Sequence, residues 1–327
     1  MSLSKKFSLS EKIICQEVSN LVIEASEMAA LSAFKLNGMG RKNDADKLAV
    51  DAMRKVLQTS SMGIKVVIGE GEMDEAPMLF IGEELGQGEM LFDLAVDPLE
   101  GTNLCANNMP NAITSIAISE KSGILAAPDC YMEKIASGKV KEDGVINVET
   151  PLKENLKNLA KYLKKDISDL NITMLDRPRH KERIAEIRSL GAKVSLISDG
   201  DIYGIIATTG FGNGADLYLG SGGAPEGVLA AAAIKACGGQ MSGKLLFETE
   251  EQRSRAVKYG ISNPDKPLSL NEMIKGNCIF AASGVTNGEM LKAPTFCGKT
   301  NFWKVETIVF SFINNVPSVQ KILHFKK

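Results

Sequence analysis

The chain has only two histidines, His180 and His324, and no Cys-x-x-Cys pair among its six cysteines, Cys15, Cys105, Cys130, Cys237, Cys278 and Cys297. The first scarcity excludes a histidine-rich metal site, and the second argues against structural zinc. Any metal must then be held by carboxylates, which suits Mg2+ or Mn2+ better than Zn2+ or Cu2+. Scattered thiols in a chain of 327 residues fit a reducing cytoplasm. No apolar run approaches the roughly 20 residues that cross a bilayer, and the opening residues lack the apolar core of a secretory signal. The net charge of −2 leaves no electrostatic case for nucleic acid or an acidic membrane as partner. There is no internal repeat and no low-complexity linker.

What is present is ordinary in bulk: 44% hydrophobic and 24% charged residues, enough chain for a sizeable core and for two domains. Residues 9 to 36 read as a long amphipathic helix with Val18, Leu21, Val22 and Ala25 at helical spacing, and a second helix is expected over 44 to 57. A short strand, Lys65 to Ile68, follows. Leu94-Ala95-Val96 reads as a buried strand that Asp97-Pro98 should cut off, because proline cannot continue a central strand. Ala112 to Ile118 and Gly123 to Pro128 suggest a hairpin. From about residue 151 helices and strands alternate, which indicates an α/β second half with at least partly parallel strands. Trp303 to Phe312 should be the last strand. The expected division is an N-terminal α+β part, 1–170, and a C-terminal α/β part, 171–327.

The informative residues lie at the ends of these strands. Asp97 and Glu100 fall on one tight turn beside Gly101 and Thr102. Two acids three apart at a strand end repel unless a cation lies between them, and a hard divalent ion bound through oxygen is the usual solution. Gly69-Glu70-Gly71-Glu72-Met73-Asp74-Glu75 follows another strand; its glycines should let Glu70 approach the same ion, with Asp74 and Glu75 farther out. Asp46, in the first turn of the second helix, suits the helix dipole whether or not it is also a ligand. Gly220 to Gly227 lies between a strand and a helix, with Pro225 in the first turn, so its free N–H groups suit a phosphate and Glu226 suits either a cap or a cation. No Gly-Lys-Ser/Thr follows, so it is not a nucleotide P-loop. Arg177-Pro178-Arg179-His180 ends one strand and Asp199-Gly200-Asp201 the next; the arginines suit a second anionic group and the carboxylates suit sugar hydroxyls. Tyr131 is expected in a polar loop, as a half-buried tyrosine or a ligand contact.

Taken together and in this order, the motifs resemble the class II fructose-1,6-bisphosphatases of the lithium-sensitive, metal-dependent phosphatase superfamily. The matching stretches are Ile68 to Glu72 with Asp74 to Met78, Asp97 to Thr102, Tyr131 to Lys134, Pro178 to His180, Asp199 to Asp201 and Gly222 to Gly227. The resemblance implies a layered αβαβα sandwich and hydrolysis of fructose 1,6-bisphosphate to fructose 6-phosphate, a gluconeogenic step, with sedoheptulose 1,7-bisphosphate as a further substrate. It implies two or three Mn2+ or Mg2+ ions, one on Asp46 and Glu70 and another on Asp97, Glu100 and Glu226. Substrate contacts fall on Glu100, Gly101, Thr102, Tyr131, Arg177, Pro178, Arg179, Asp199, Gly200, Asp201 and Gly223. Family members commonly form homodimers or tetramers. We expect the Thr102 hydroxyl, with Asp46, to position the attacking water. Arg177 stands where the family usually has lysine, and Ser221 where an aliphatic residue is common. Competing expectations are an inositol monophosphatase-like or 3′-phosphoadenosine phosphatase, and a non-catalytic sugar-phosphate or cation sensor.

Overall fold

A computed structural model describes residues 9–71, 78–212 and 214–327, with side chains from residue 15. The expected outer acids Asp74 and Glu75, with Glu72, lie outside the described residues. The chain opens with helices α1 (Leu9–Phe34) and α2 (Lys42–Gln58), then β1 (Gly63–Ile68), β2 (Glu84–Leu85), β3 (Met90–Glu100), a short α3 (Thr102–Ala106) and β4 (Ile113–Glu120). The middle of the chain runs β5 (Tyr131–Ser137), α4 (Leu152–Leu163), β6 (Asn171–Leu175), α5 (Lys181–Ser189), β7 (Lys193–Ile197) and α6 (Asp201–Ile206). It continues with β8 (Leu217–Gly223), α7 (Ala224–Ala236), β9 (Gln240–Leu246), α8 (Glu250–Lys258), β10 (Leu268–Ser269) and α9 (Leu270–Met273). The last four elements are β11 (Cys278–Gly284), β12 (Thr295–Cys297), β13 (Phe302–Ile313) and β14 (Val316–Lys326).

Two sheets result. One has eight strands in the order β12-β13-β11-β4-β3-β1-β2, with β14 also on β13; the other has six, β10-β9-β5-β8-β6-β7. Burial on both faces of each sheet creates five layers. Leu94, Val96, Ile116 and Ile118 face one way, against Val22, Ala29, Ala49 and Met53 of α1 and α2. Their neighbours Ala95, Ile113 and Ala117 face the other way, into a core shared with α6, α7 and the inner face of the second sheet. This alternation is the period-2 rule applied to strands buried on both sides. Helix α7 lies between the sheets, and its run Leu229-Ala230-Ala231-Ala232-Ala233-Ile234 is buried all round. Its small side chains suit a position with no solvent face. Helices α4 and α5 cover the outer face of the second sheet through Leu156, Leu159, Ile184 and Ile187. The order is helix, sheet, helix, sheet, helix, as the αβαβα expectation has it. Among the described residues no helix is long and apolar enough to cross a membrane.

Four expectations are corrected. Strand β3 does not stop at Asp97-Pro98 but runs on to Glu100. Its last pair with β1 is Ala95–Ile68, and on the β4 side the pairs jump from Asp97–Ser115 to Glu100–Ile113, three steps against two. Pro98 sits inside this bulge, where its missing N–H costs no ladder bond. The turn comes one residue later than Glu100, at Gly101 with φ of +80°. The suggested hairpin after β4 does not form: β4's free edge is taken by β11, and Gly123 to Pro128 leaves the sheet, touching α9 through Leu125 N–H and Met273 O at 2.9 Å. Strand β13 is not the last, since Asn314-Asn315, at φ +52° and +64°, turns the chain back into β14. Both central residues at positive φ mark a two-residue hairpin turn for which asparagine is suited. Finally, Tyr131 begins a strand rather than sitting in a loop. The expected boundary at 170 does not coincide with the division into sheets: β5 belongs to the second sheet, and β11 to β14 return to the first.

Candidate active site

The carboxyl ends of strands in both sheets meet at one place. From the first sheet come the end of β1, leading to Glu70, and the end of β3, carrying Asp97 and Glu100. Helix α2 contributes Asp46, and α3 begins at Thr102 directly after the Gly101 turn. From the second sheet come the residues after β6 and β7 and the start of α7, where Glu226 lies in the first turn. Ligands collect at such strand ends because loops and helix starts project there from a rigid sheet.

Two adjoining cavities occupy the junction. The first, about 570 Å³, is lined by Lys42, Asn43, Asp46, Glu70, Asp97, Thr102, Asp129 and Glu226. The second, about 330 Å³, is lined by Glu100, Gly101, Tyr131, Arg177, Arg179, Asp199, Gly200, Asp201 and Gly223. Asp97, Leu99, Thr102 and Glu226 line both. Every expected ligand and contact residue therefore reaches one or the other, apart from Pro178, which lies in the short 3-10 turn after Arg177.

The first cavity is electrostatically unbalanced. Burial pushes Asp46 up to about 6. Burial, then repulsion from Asp46 and Glu226, pushes Glu70 up to about 8. Asp97 is raised well above the usual carboxylate range by burial and by Glu100, Glu70, Glu226 and Asp46. Glu226 is also raised by burial, partly countered by the Lys134 ammonium. Acids from four separate segments thus feel one another at one spot. Among the described residues no three Asp, Glu, His or Cys side chains form a closed ligand shell. The donor chemistry still fits a hard divalent cation: the acids supply oxygen only, and their mutual repulsion is what such a cation would cancel.

Several residues do more, or other, work than expected. Glu100 accepts hydrogen bonds from the N–H groups of Ile202 at 2.5 Å and Tyr203 at 2.9 Å, which anchors the start of α6; burial still raises it to about 8. Each oxygen keeps a second lone pair. Asp201 also has a structural task, because its carboxylate is paired with the fully buried Lys134 and accepts from the Tyr218 hydroxyl. Gly69 serves packing: a Cβ there would strike the Leu79 carbonyl. The start of α7 is not an open phosphate cradle. Ala224 N–H donates to Cys130 O at 2.8 Å, Pro225 has no N–H, and the Glu226 carboxylate interacts with its own N–H. On the anion side, Arg177 pairs with Asp199 at 3.1 Å, and the Arg179 guanidinium lies 4.9 Å over the half-exposed Tyr131 ring.

Lys134 was missed as a functional candidate although its motif was noted. Its Nζ also donates to Gly223 O at 2.7 Å, so one buried cation links β5, α6 and the start of α7. The signal was available: Met132 and Lys134 share a strand face, and a lysine on a buried face needs a buried partner. Lys42, Asn43 and Asp129, which line the carboxylate cavity, carried no comparable signal.

Residues 16–321 match the family described as bacterial fructose-1,6-bisphosphatase, glpX-encoded. A D-fructose 1,6-bisphosphatase class 2/sedoheptulose 1,7-bisphosphatase from Synechococcus sp. (strain RCC307) is 41% identical over 93% of this chain and 95% of its own length. Its namesake from Synechococcus elongatus is 42% identical over 84% and 87%. Among solved structures, CysQ from Bacteroides thetaiotaomicron, described as a bacterial member of the inositol monophosphatase family, has 17% identity and a TM-score of 0.35, covering 63% of this chain and 80% of that one. With the residues of the site in place and the match spanning nearly the whole chain, this chain belongs to the glpX-encoded bacterial fructose-1,6-bisphosphatases, a family of metal-dependent phosphoric monoester hydrolases.

Proposed function

We propose that this enzyme hydrolyses the 1-phosphate of D-fructose 1,6-bisphosphate to give fructose 6-phosphate and phosphate, and that it also accepts sedoheptulose 1,7-bisphosphate. The observation that carries this reading is the junction of an acid-lined cavity with an arginine-lined one, sharing Asp97, Thr102 and Glu226. One cavity suits the reacting phosphate and the other the remote one.

Asp46 and Glu70 are assigned to one divalent ion, and Asp97, Glu100 and Glu226 to another; Mn2+ and Mg2+ both suit the oxygen donors. Bound there, the ions would neutralise the phosphoryl charge and make water a better nucleophile. The chain's own residues do the rest. Thr102 borders both cavities, which supports a role for its hydroxyl in aligning the water against the phosphoryl group. Asp46 lines the acid-lined cavity beside Thr102, and its carboxylate is assigned to take the proton of the attacking water. Arg177, Arg179 and Tyr131 hold the remote phosphate, and that binding energy positions the reacting end. The water attacks the phosphoryl group directly as the P–O bond to the C1 oxygen breaks, with no phosphoenzyme, and the leaving alkoxide takes a proton from water to give fructose 6-phosphate. We further assign the enzyme to the cytoplasm, as a homodimer or tetramer.

Phosphate release with Mn2+ or Mg2+ tests the reading on four substrates: fructose 1,6-bisphosphate, sedoheptulose 1,7-bisphosphate, inositol monophosphate and 3′-phosphoadenosine 5′-phosphate. The two sugar bisphosphates should be turned over fastest. Preference for either of the other two would move the chain to a neighbouring specificity, and tight binding without turnover would make it a sensor.

A further inference from the structure

Resting on the remote-phosphate reading above, we propose that Ser221 is a positioning residue: it presets Arg179 for the remote anionic group and so favours substrates with two phosphates. Ser221 lies in β8 and is not among the residues bordering either cavity. Its carbonyl accepts from Arg179 Nη2 at 2.6 Å and from Nε at 3.2 Å, and its hydroxyl accepts from Nε at 3.1 Å. A single residue thus grips one edge of the guanidinium, whose face rests on Tyr131.

The grip is itself braced from behind. His180 is buried, and its Nδ1 stands 2.8 Å from Leu175 O, so that nitrogen carries the proton and donates. Its Nε2 accepts from Ser221 N–H at 2.9 Å and lies 3.1 Å from the Ser221 hydroxyl. Gly220 makes room for this contact, because a Cβ there would come within 3.1 Å of the imidazole. The order of support is Leu175, His180, Ser221, Arg179, running from the end of β6 to the cavity wall. An arginine free to rotate loses that freedom when it binds an anion, whereas one already oriented does not. The hydroxyl therefore acts on affinity for the distant phosphate and not on the chemical step.

Steady-state kinetics of Ser221→Ala and Ser221→Thr, each with and without Arg179→Ala, test this. Ser221→Ala should raise KM for fructose 1,6-bisphosphate about fivefold, the loss expected for one ordinary hydrogen bond while the two to the Ser221 carbonyl remain. Its kcat should stay within about twofold of the parent's. The Kd of fructose 6-phosphate, measured by calorimetry, should weaken in parallel. Ser221→Thr, which keeps the hydroxyl, should restore both. In the Arg179→Ala background Ser221→Ala should change KM no further, since the coupled partner is gone. An unchanged KM, a loss confined to kcat, or an equal shift with and without Arg179 overturns the proposal. A parent enzyme with no turnover of the bisphosphate overturns the substrate reading, and this one with it.

Discussion

The two adjoining cavities solve opposite electrostatic problems. In the acid-lined one, Asp46 and Glu226 raise the proton affinity of Glu70 and Asp97, on top of burial. In the arginine-lined one two charges are already paired, Arg177 with Asp199 and Asp201 with Lys134, and Arg179 is held by Ser221. The first cavity is a device waiting for positive charge, and the second is assembled before any ligand arrives. Asp216 shows what the fold does with a buried acid that has no ligand to serve. Burial pushes it up, but hydrogen bonds from Lys139 at 2.8 Å, from Lys165 and from Asn171 N–H bring it below the usual aspartate range. A buried carboxylate without such cations marks a site, and one with them marks structure.

Breaking the first cavity should have the largest effect. Thr102→Ala should cut kcat by about 10²-fold or more, the loss expected when the attacking water is no longer aligned. Divalent ions should still raise the Tm of that variant; near-normal turnover would remove Thr102 from the reaction. Asp97→Asn should abolish turnover to a similar degree while raising the Tm of the metal-free protein, because one mutually repelling charge has gone. A lower Tm in metal-free buffer would mean that Asp97 is held by contacts and not by repulsion.

Arg179→Ala addresses the second cavity, where the effect should be smaller and fall on binding. KM for the bisphosphate should rise about 10- to 100-fold, as expected for a charge-assisted contact, with kcat little altered. The reverse pattern would place the arginine at the reacting phosphate.

The pH dependence of stability sharpens the comparison further. Glu70 and Glu100, at about 8, and Asp46, at about 6, all sit above their ordinary values of 4.5 and 3.8. Between about pH 4.5 and 8 the folded state then binds more protons than the unfolded one, so metal-free stability should fall as pH rises through that window. Divalent ions compete with those protons, so Mn2+ should raise Tm more at pH 8 than at pH 6, and EDTA should reverse it. A metal-free Tm that climbs from pH 5 to 8 would contradict the crowding of acids. Asp216 should behave oppositely and more modestly. Its contribution is present above the ordinary aspartate value of 3.8 and is lost as pH falls through its lower folded value. Asp216→Asn should therefore cost about 1–3 kcal/mol at pH 7, and much less at pH 3.

The acids at the strand ends were legible because nothing in local structure needs them. Asp97 and Glu100 beside Gly101 have no packing role at a strand end, so their type and place already speak of chemistry, whereas Asp46 and Glu226 lie at helix starts that accept an acid in any case. The arginines were legible for the same reason. Lys134 and Ser221 were harder, because their partners Asp201, Gly223 and Arg179 lie in other elements, and a lone lysine or serine on a strand has many ordinary explanations. The path of β3 through Pro98 was misread because the rule against proline in a central strand assumes neighbours along its whole length, and β1 ends first.

By itself the sequence determined the helical and strand periods, the acidic strand ends, the oxygen-only donor set and the family. Those properties are carried by neighbouring residues and by side-chain chemistry. Only the tertiary structure decided that the C-terminal strands β11 to β14 return to the N-terminal sheet, that Asp201 pairs with Lys134, and that Arg179 leans on Ser221. Each of these depends on residues tens of positions apart coming within a few ångströms, and such contacts are set by how layers stack rather than by any local preference.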